Sequence, residues 1–261
     1  MIVFAGPSIA GLDDSLTAGL DLRDPVQQGD VYLAARENPG VIGIIDGYFD
    51  GAPSVWHKEI LWAMTQGITV LGASSMGALR AAELDSFGMI GVGEVYRAYA
   101  FGEVEDDDEV ALLHGPREIG YTPLTLAMVN VRATLNRARQ ADVISEPQCA
   151  QLTHGAKVLF YKRRTWDAIF AAVGADVMPP ASEGGFRNWL KHNETDQKQD
   201  DAALLLARMQ AGDDGPPTVD FHFEHTALWQ DATTIWLDRS ENATEADTGG
   251  LMFADKELLG G

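Results

Sequence analysis

Two adjacent serines stand where an apolar run stops, in the stretch Val70–Leu84, "VLGASSMGALRAAEL". Ala73-Ser74-Ser75-Met76-Gly77 has the small-x-nucleophile-x-small form of a sharp strand-to-helix turn that displays a serine hydroxyl. In this register Ser75 is the nucleophile and Ser74 the alternative one residue earlier. The backbone N–H of Met76, at the start of the following helix, can hold an oxyanion. The chemistry would be acyl transfer. Either serine serves equally well as the cap of that helix, and the pattern alone leaves both roles open.

A serine nucleophile needs a base. Lys58 lies near the start of the crossover helix between two strand-like runs, "VIGIID" and "ITVLGA". A right-handed crossover starts its helix at the same sheet edge as the helix after Ser75, so the two side chains can approach each other. Lysine acts as a base only when neutral, and burial beside Trp56 or Trp62 would lower its pKa. The competing role is an ordinary surface lysine. His57 points about 100° away from Lys58 on a helix. Asp46 can orient or charge-compensate Lys58, or simply form an Asp-Gly turn.

The remaining polar groups read as structural. Arg80 and Glu83 have the spacing of a helical ion pair. Asp106 to Glu109 reads as a solvated acidic turn or helix cap. Asp220, His222 and Glu224 would share one face of a strand, but two acids and one histidine are a weak divalent-metal set. Cys149 reads as a buried packing residue. There is no Walker motif, dinucleotide-binding glycine fingerprint or HExxH, and no metal or organic cofactor is expected.

These groups must be positioned by a framework, and the first third of the chain supplies its pattern. Residues 2–6, 41–46 and 68–73 read as buried strands, alternating with helical segments at "GDVYLAAREN" and "SVWHKEILWAMTQG", the latter with Ser54 as N-cap and Gly67 at its end. Strands apolar on both faces and separated by helices predict a parallel α/β sheet. Its carboxyl edge would gather Ser8, Asp46 and Ser75, where ligands of open α/β sheets bind. From Thr122 to about Ala172 the chain reads as long helices, helical character continues over 186–211, and "TVDFHFEHTALW" reads as a strand. The last twenty or so residues read as a frayed acidic tail.

Composition limits the partners. The chain has 261 residues, of which 46% are hydrophobic, enough to bury a core. A formal net charge of −20 disfavours binding to a phosphate backbone, so nucleic acid is not expected. One cysteine permits no internal disulfide, which suits a reducing, cytoplasmic setting. No apolar run is long enough to span a membrane.

The stretch from "VIGIIDGYFDGAPSVWHKEI" through "GITVLGASSMGALRAAELDSFGMIGVGEVY" to "DDDEVALLH" resembles the core of the TfuA-like family over about residues 2–125. The resemblance implies an accessory protein of YcaO, an ATP-dependent enzyme that activates peptide backbone amides for conversion to thioamides in the biosynthesis of modified peptides. It implies hydrolysis of the C-terminal thiocarboxylate of a ThiS-type sulfur carrier, delivery of the sulfur to YcaO, and help in engaging the precursor peptide. The serine–lysine pair of the family maps onto Ser75 and Lys58, with Met76 and Gly77 amides at the oxyanion. ATP would belong to the partner. A non-catalytic adaptor is the alternative. The expected organisation is a Rossmann-like α/β core over 1–120, a helical region over 121–212, and a C-terminal strand with acidic tail over 213–261.

Overall fold

The computed structural model describes residues 1–257, with side chains through 242. Five short parallel strands form one sheet: β1 (Ile2–Phe4), β2 (Asp21–Arg23), β3 (Val41–Ile44), β4 (Thr69–Ala73) and β5 (Ile90–Val92), in the order β2-β1-β3-β4-β5. The pairings Ile2↔Ile42, Val41↔Thr69 and Leu71↔Ile90 fix the register. The three expected strands are present and parallel. The two edge strands, β2 and β5, escaped the sequence reading. Each has only three residues and is half exposed, so neither shows an apolar run.

Period-two alternation divides the strands between two layers. Ile2, Phe4, Ile42, Ile44 and Val70 face α2 (His57–Thr65) and α3 (Met76–Leu84), with α1 (Asp30–Ala35) in the same layer. Val3, Ile45, Leu71 and Ala73 face Ala202, Leu205, Leu206 and Met209 of α9 (Gln197–Ala211). Helices therefore cover both faces, as a buried parallel sheet requires. Between these layers the chain runs through α4 (Gly93–Ala100), α5 (Met128–Gln140), α6 (Glu146–Lys157), α7 (Trp166–Val173) and α8 (Pro180–Asn193). Elements α5 to α8 bury their own core around Leu135, Leu152, Ile169 and Phe186. Thus α9 lies within the helical stretch of the sequence but belongs to the sheet. Asp201 on α9 accepts from the Glu94 and Val95 N–H groups at 3.0 and 2.7 Å, pinning α9 to the first turn of α4.

Several local expectations are corrected. Helix α2 starts at His57 rather than after Ser54, because the Glu59 carboxylate reaches back to the Trp56 N–H at 2.8 Å. The Ser54 hydroxyl instead donates to Tyr48 O at 3.2 Å. Gly67 follows the helix with φ +80°, as expected. The long helical reading from Thr122 to about Ala172 is broken after Lys157, because the Arg164 guanidinium is buried in the joint and donates to Ala156 O at 3.0 Å and Leu159 O at 3.1 Å. Ser145 starts α6 with a capping box to Gln148. Residues 219–226 form no strand: Val219 and Phe221 dock onto the sheet's helices, so their alternation reflects side-chain docking without a ladder. Helix α10 (Ala227–Glu257) follows, its Trp229 and Trp236 packed against Tyr32, Trp56 and Trp62. The tail read as frayed falls on the end of α10 and on residues 258–261, which lie outside the described residues. Among the described residues no helix is long and apolar enough to cross a membrane.

Candidate active site

The strand order reverses between β1 and β3, and the carboxyl ends of these strands open the crevice that such sheets use for ligands. Asp46, just past β3, ties the crevice together. Its Oδ2 accepts the Gly6 and Ser8 N–H groups, each at 2.9 Å, and its Oδ1 accepts the Ser8 hydroxyl at 2.7 Å. The carboxylate is buried but fully engaged, so its charge is held in one place. Beside it lies a cavity of about 380 Å³ bordered by Asp46, Tyr48, Ser75, His114, Tyr161 and Lys198.

The serine turn forms as its small residues require. Ser74 has φ +67°, and the Ser75 N–H donates to Ala73 O at 2.7 Å, closing a three-residue turn. Ser75 then precedes α3, is 2% exposed and lines the cavity. Ser74 is buried elsewhere: its Oγ has no hydrogen-bond partner among the described residues, and it does not border the cavity. The geometry favours Ser75 over Ser74. Met76 stands at the first position of α3 with its side chain against Gly47, which leaves its amide at the positive end of a nine-residue helix. The Gly77 amide donates to Ile45 O at 3.2 Å and is therefore already committed. Gly77 has a packing role instead, because a Cβ there would lie 1.8 Å from Ile44 O.

Lys58 is not brought to this cavity. Its Nζ donates to Thr226 Oγ1 at 3.1 Å and stands 5.2 Å from the centre of the Phe223 ring, on the segment leading into α10. The reason lies one residue on. Glu59 turns inward to accept the Gly29, Val31 and Trp56 amides, which points its neighbour Lys58 elsewhere. The lysine that borders the cavity with Ser75 and Asp46 is Lys198, the second residue of α9. It is buried, donates to Val110 O at 2.8 Å, and lies 3.9 Å from Asp46 Oδ1. Burial lowers its pKa, opposed by the charges of Asp46 and Asp196. The sequence reading missed Lys198, since it carries no motif and sits far along the chain. Its one local signal is a lysine at the start of an amphipathic helix whose apolar face covers a sheet.

The other candidates take structural places. Arg80 pairs with Glu83 at 2.7 Å, and His57 also reaches Glu83 at 2.7 Å. The turn at 106–109 is an ion-pair node, not a purely solvated turn. Glu109 is buried against Arg132 at 2.9 Å and Lys157 at 2.8 Å, and Asp108 holds Arg164 at 2.7 Å. That node fixes Val110, the acceptor for Lys198. His222 and Glu224 are exposed and 3.6 Å apart, and among the described residues no three His, Cys, Asp or Glu side chains converge as a metal site. Cys149 packs in the helical core, where burial raises its thiol pKa. At the cavity mouth Asp50 pairs with Lys162 at 2.8 Å and accepts from the Tyr161 hydroxyl. Those two bonds hold the Asp50 carboxyl below its ordinary range.

The chain carries a TfuA-like domain: residues 46–165 match the family described as TfuA-like protein. No curated protein matches the chain. The matched segment begins at Asp46 and includes Ser75 and the cavity mouth, but it ends before Lys198.

Proposed function

We propose that this chain, with its TfuA-like domain, is an accessory hydrolase of YcaO-dependent peptide backbone thioamidation. It hydrolyses the C-terminal thiocarboxylate of a ThiS-type sulfur carrier and delivers the sulfide. The observation that supports this reading is the position of Ser75 at the N-terminus of α3, on the wall of a cavity of about 380 Å³ beside the reversal point of the sheet. The Ser75 hydroxyl attacks the acyl carbon. The oxyanion is stabilised by the Met76 amide and the positive end of α3. The C–S bond breaks readily, because hydrosulfide is a far better leaving group than an amine. Water then cleaves the acyl-serine and frees the carrier as a carboxylate. ATP is consumed by YcaO.

The same protein assists YcaO in engaging the precursor peptide. A chain of net charge −20 favours basic protein surfaces as partners. The test is direct: purified protein is mixed with a thiocarboxylated carrier, and sulfide and carrier mass are followed. Sulfide release with a carrier mass change from thiocarboxylate to carboxylate is expected. An intact carrier, together with YcaO stimulation undiminished by Ser75→Ala, would leave the adaptor role alone.

A further inference from the structure

We infer that a second cavity, bordered by Thr125, Thr195 and Lys198, receives the released sulfide as a hydrosulfide anion, an inference that rests on reading Ser75 as the nucleophile of a thiocarboxylate hydrolase. This cavity of about 230 Å³ reaches Ser8, Asn130 and Glu194 as well. It shares Pro7, Leu112 and Lys198 with the cavity that holds Ser75, so the two spaces adjoin across these side chains. The groups at the mouth of the first, Asp50, Tyr161 and Lys162, do not border the second. A carrier tail that enters by that mouth and fills the first cavity leaves the second free.

Hydrogen-bond accounting gives the second cavity its preference for an anion. Lys198 is 2% exposed, and its ammonium has three N–H groups to place. One meets Val110 O at 2.8 Å, and Asp46 Oδ1, at 3.9 Å, lies beyond hydrogen-bond reach. Thr195 Oγ1 is buried and has no partner among the described residues. Thr125 Oγ1 accepts the Leu113 N–H at 2.8 Å, and its own proton meets no acceptor among them. The carboxylates nearby are engaged. Asp46 holds Gly6 and Ser8, Asp196 Oδ1 holds Asn130 Nδ2 and the Gln199 N–H, and the exposed Glu194 holds the Trp166 indole. Donors without acceptors thus border one space, and one of them carries a positive charge. Buried donors left in this state are costly, and a small anion among them supplies charge-assisted hydrogen bonds.

Hydrosulfide is the anion that the reaction makes here. When the C–S bond of the tetrahedral adduct breaks, its electron pair leaves with sulfur, and the acyl group stays on Ser75 Oγ. The ion formed is small and singly charged. Moving it past Lys198 into a separate space keeps it from attacking the acyl-serine and remaking the thiocarboxylate. Water is then the nucleophile of the second step.

Bromide, close to hydrosulfide in size and charge and visible by anomalous scattering, is the probe. Crystals of the full chain are soaked in sodium bromide. A bromide is expected in the second cavity, in contact with Lys198 Nζ and Thr195 Oγ1, and is expected to be missing from Thr195→Val. In solution, added sulfide should inhibit steady-state hydrolysis of a thiocarboxylated carrier. Thr195→Val should raise the sulfide inhibition constant about 10-fold, the usual contribution of one hydrogen bond to an ion, and leave that of the hydrolysed carrier within about twofold. Thr195→Ser should restore the parent value. A parent that hydrolyses the carrier but binds bromide only at its surface (an adventitious ion only), or sulfide inhibition equal in parent and Thr195→Val, overturns the sulfide pocket and leaves the hydrolase reading intact. A parent that leaves the carrier unchanged overturns both.

Discussion

Gly77 is pressed against Ile44 so closely that an added Cβ would lie 1.8 Å from the Ile44 carbonyl oxygen, and a Cβ on Gly72 would lie 2.1 Å from Gly77 O. Helix α3 can sit this low on β3 and β4 only because both positions lack side chains. Gly77→Ala should therefore destabilise by about 3 kcal/mol, the upper end for overpacking, because the obstacle is backbone and not a side chain that can turn away. A urea midpoint that falls with an unchanged slope checks this. An unchanged midpoint would show that α3 can lift without cost.

Ser75→Ala should abolish carrier hydrolysis and cost less than ~1 kcal/mol of stability, because the Ser75 side chain makes no capping hydrogen bond to α3. Ser74→Gly should behave in the opposite way. Glycine accepts the φ of +67° and removes a buried hydroxyl without a partner, so stability should rise by about 1 kcal/mol with hydrolysis retained. Loss of hydrolysis in Ser74→Gly with retention in Ser75→Ala would shift the nucleophile by one residue.

Lys58→Arg distinguishes a base from a surface cation. Crossover geometry and the family resemblance together made Lys58 the candidate base, and on that reading arginine, which does not deprotonate, would be inactive. In the structure Lys58 binds Thr226 and stands over Phe223, contacts a guanidinium can keep. Hydrolysis by Lys58→Arg should stay within about twofold of the parent, and steady-state kinetics with the carrier decide the point.

Lys198 also sets a pH dependence of stability. Its folded pKa is lowered by burial, so the unfolded chain binds more protons between that value and the ~10.4 of free lysine. Stability contributed at this site therefore rises with pH across that window and is lowest below it. Lys198→Met should remove this slope and be neutral or stabilising at pH 7, since an apolar side chain replaces a costly buried ammonium. Denaturation midpoints of parent and variant at pH 7 and 9.5 should converge as pH rises. A gap that widens would mean that the ammonium stabilises the fold.

Arg164→Ala should destabilise by about 3 kcal/mol, because the guanidinium is completely buried and its loss takes the donor from the Ala156 and Leu159 carbonyls. Calorimetry on the folded full chain measures it, and a change below 1 kcal/mol would show that water replaces the guanidinium.

The sheet was legible in the sequence wherever strands are buried on both faces, as at Val41–Ile44 and Thr69–Ala73. Exposed edge strands such as Asp21–Arg23 leave no such trace. Asp46 and Ser75 were legible because each follows a buried strand directly, so local pattern places them at the sheet edge. Lys198 was not, because its burial depends on α9 returning from the helical region, a contact no local window contains. Helix breaks at Lys157 and Asn193 were missed because the signals are a buried arginine and the Asp196 cap rather than glycine or proline. Phe221 and Phe223 alternate like a strand because docking onto helices and pairing in a sheet impose the same spacing.

The late return of α9 has a consequence in time. During synthesis, Ser75, Asp46 and the entire TfuA-like segment leave the ribosome before Lys198 exists outside it. A nascent chain that has folded this far holds the serine and the carboxylate on a sheet with one face still bare. The cavity wall would then be completed in a single step, when Gln197–Ala211 closes over that face.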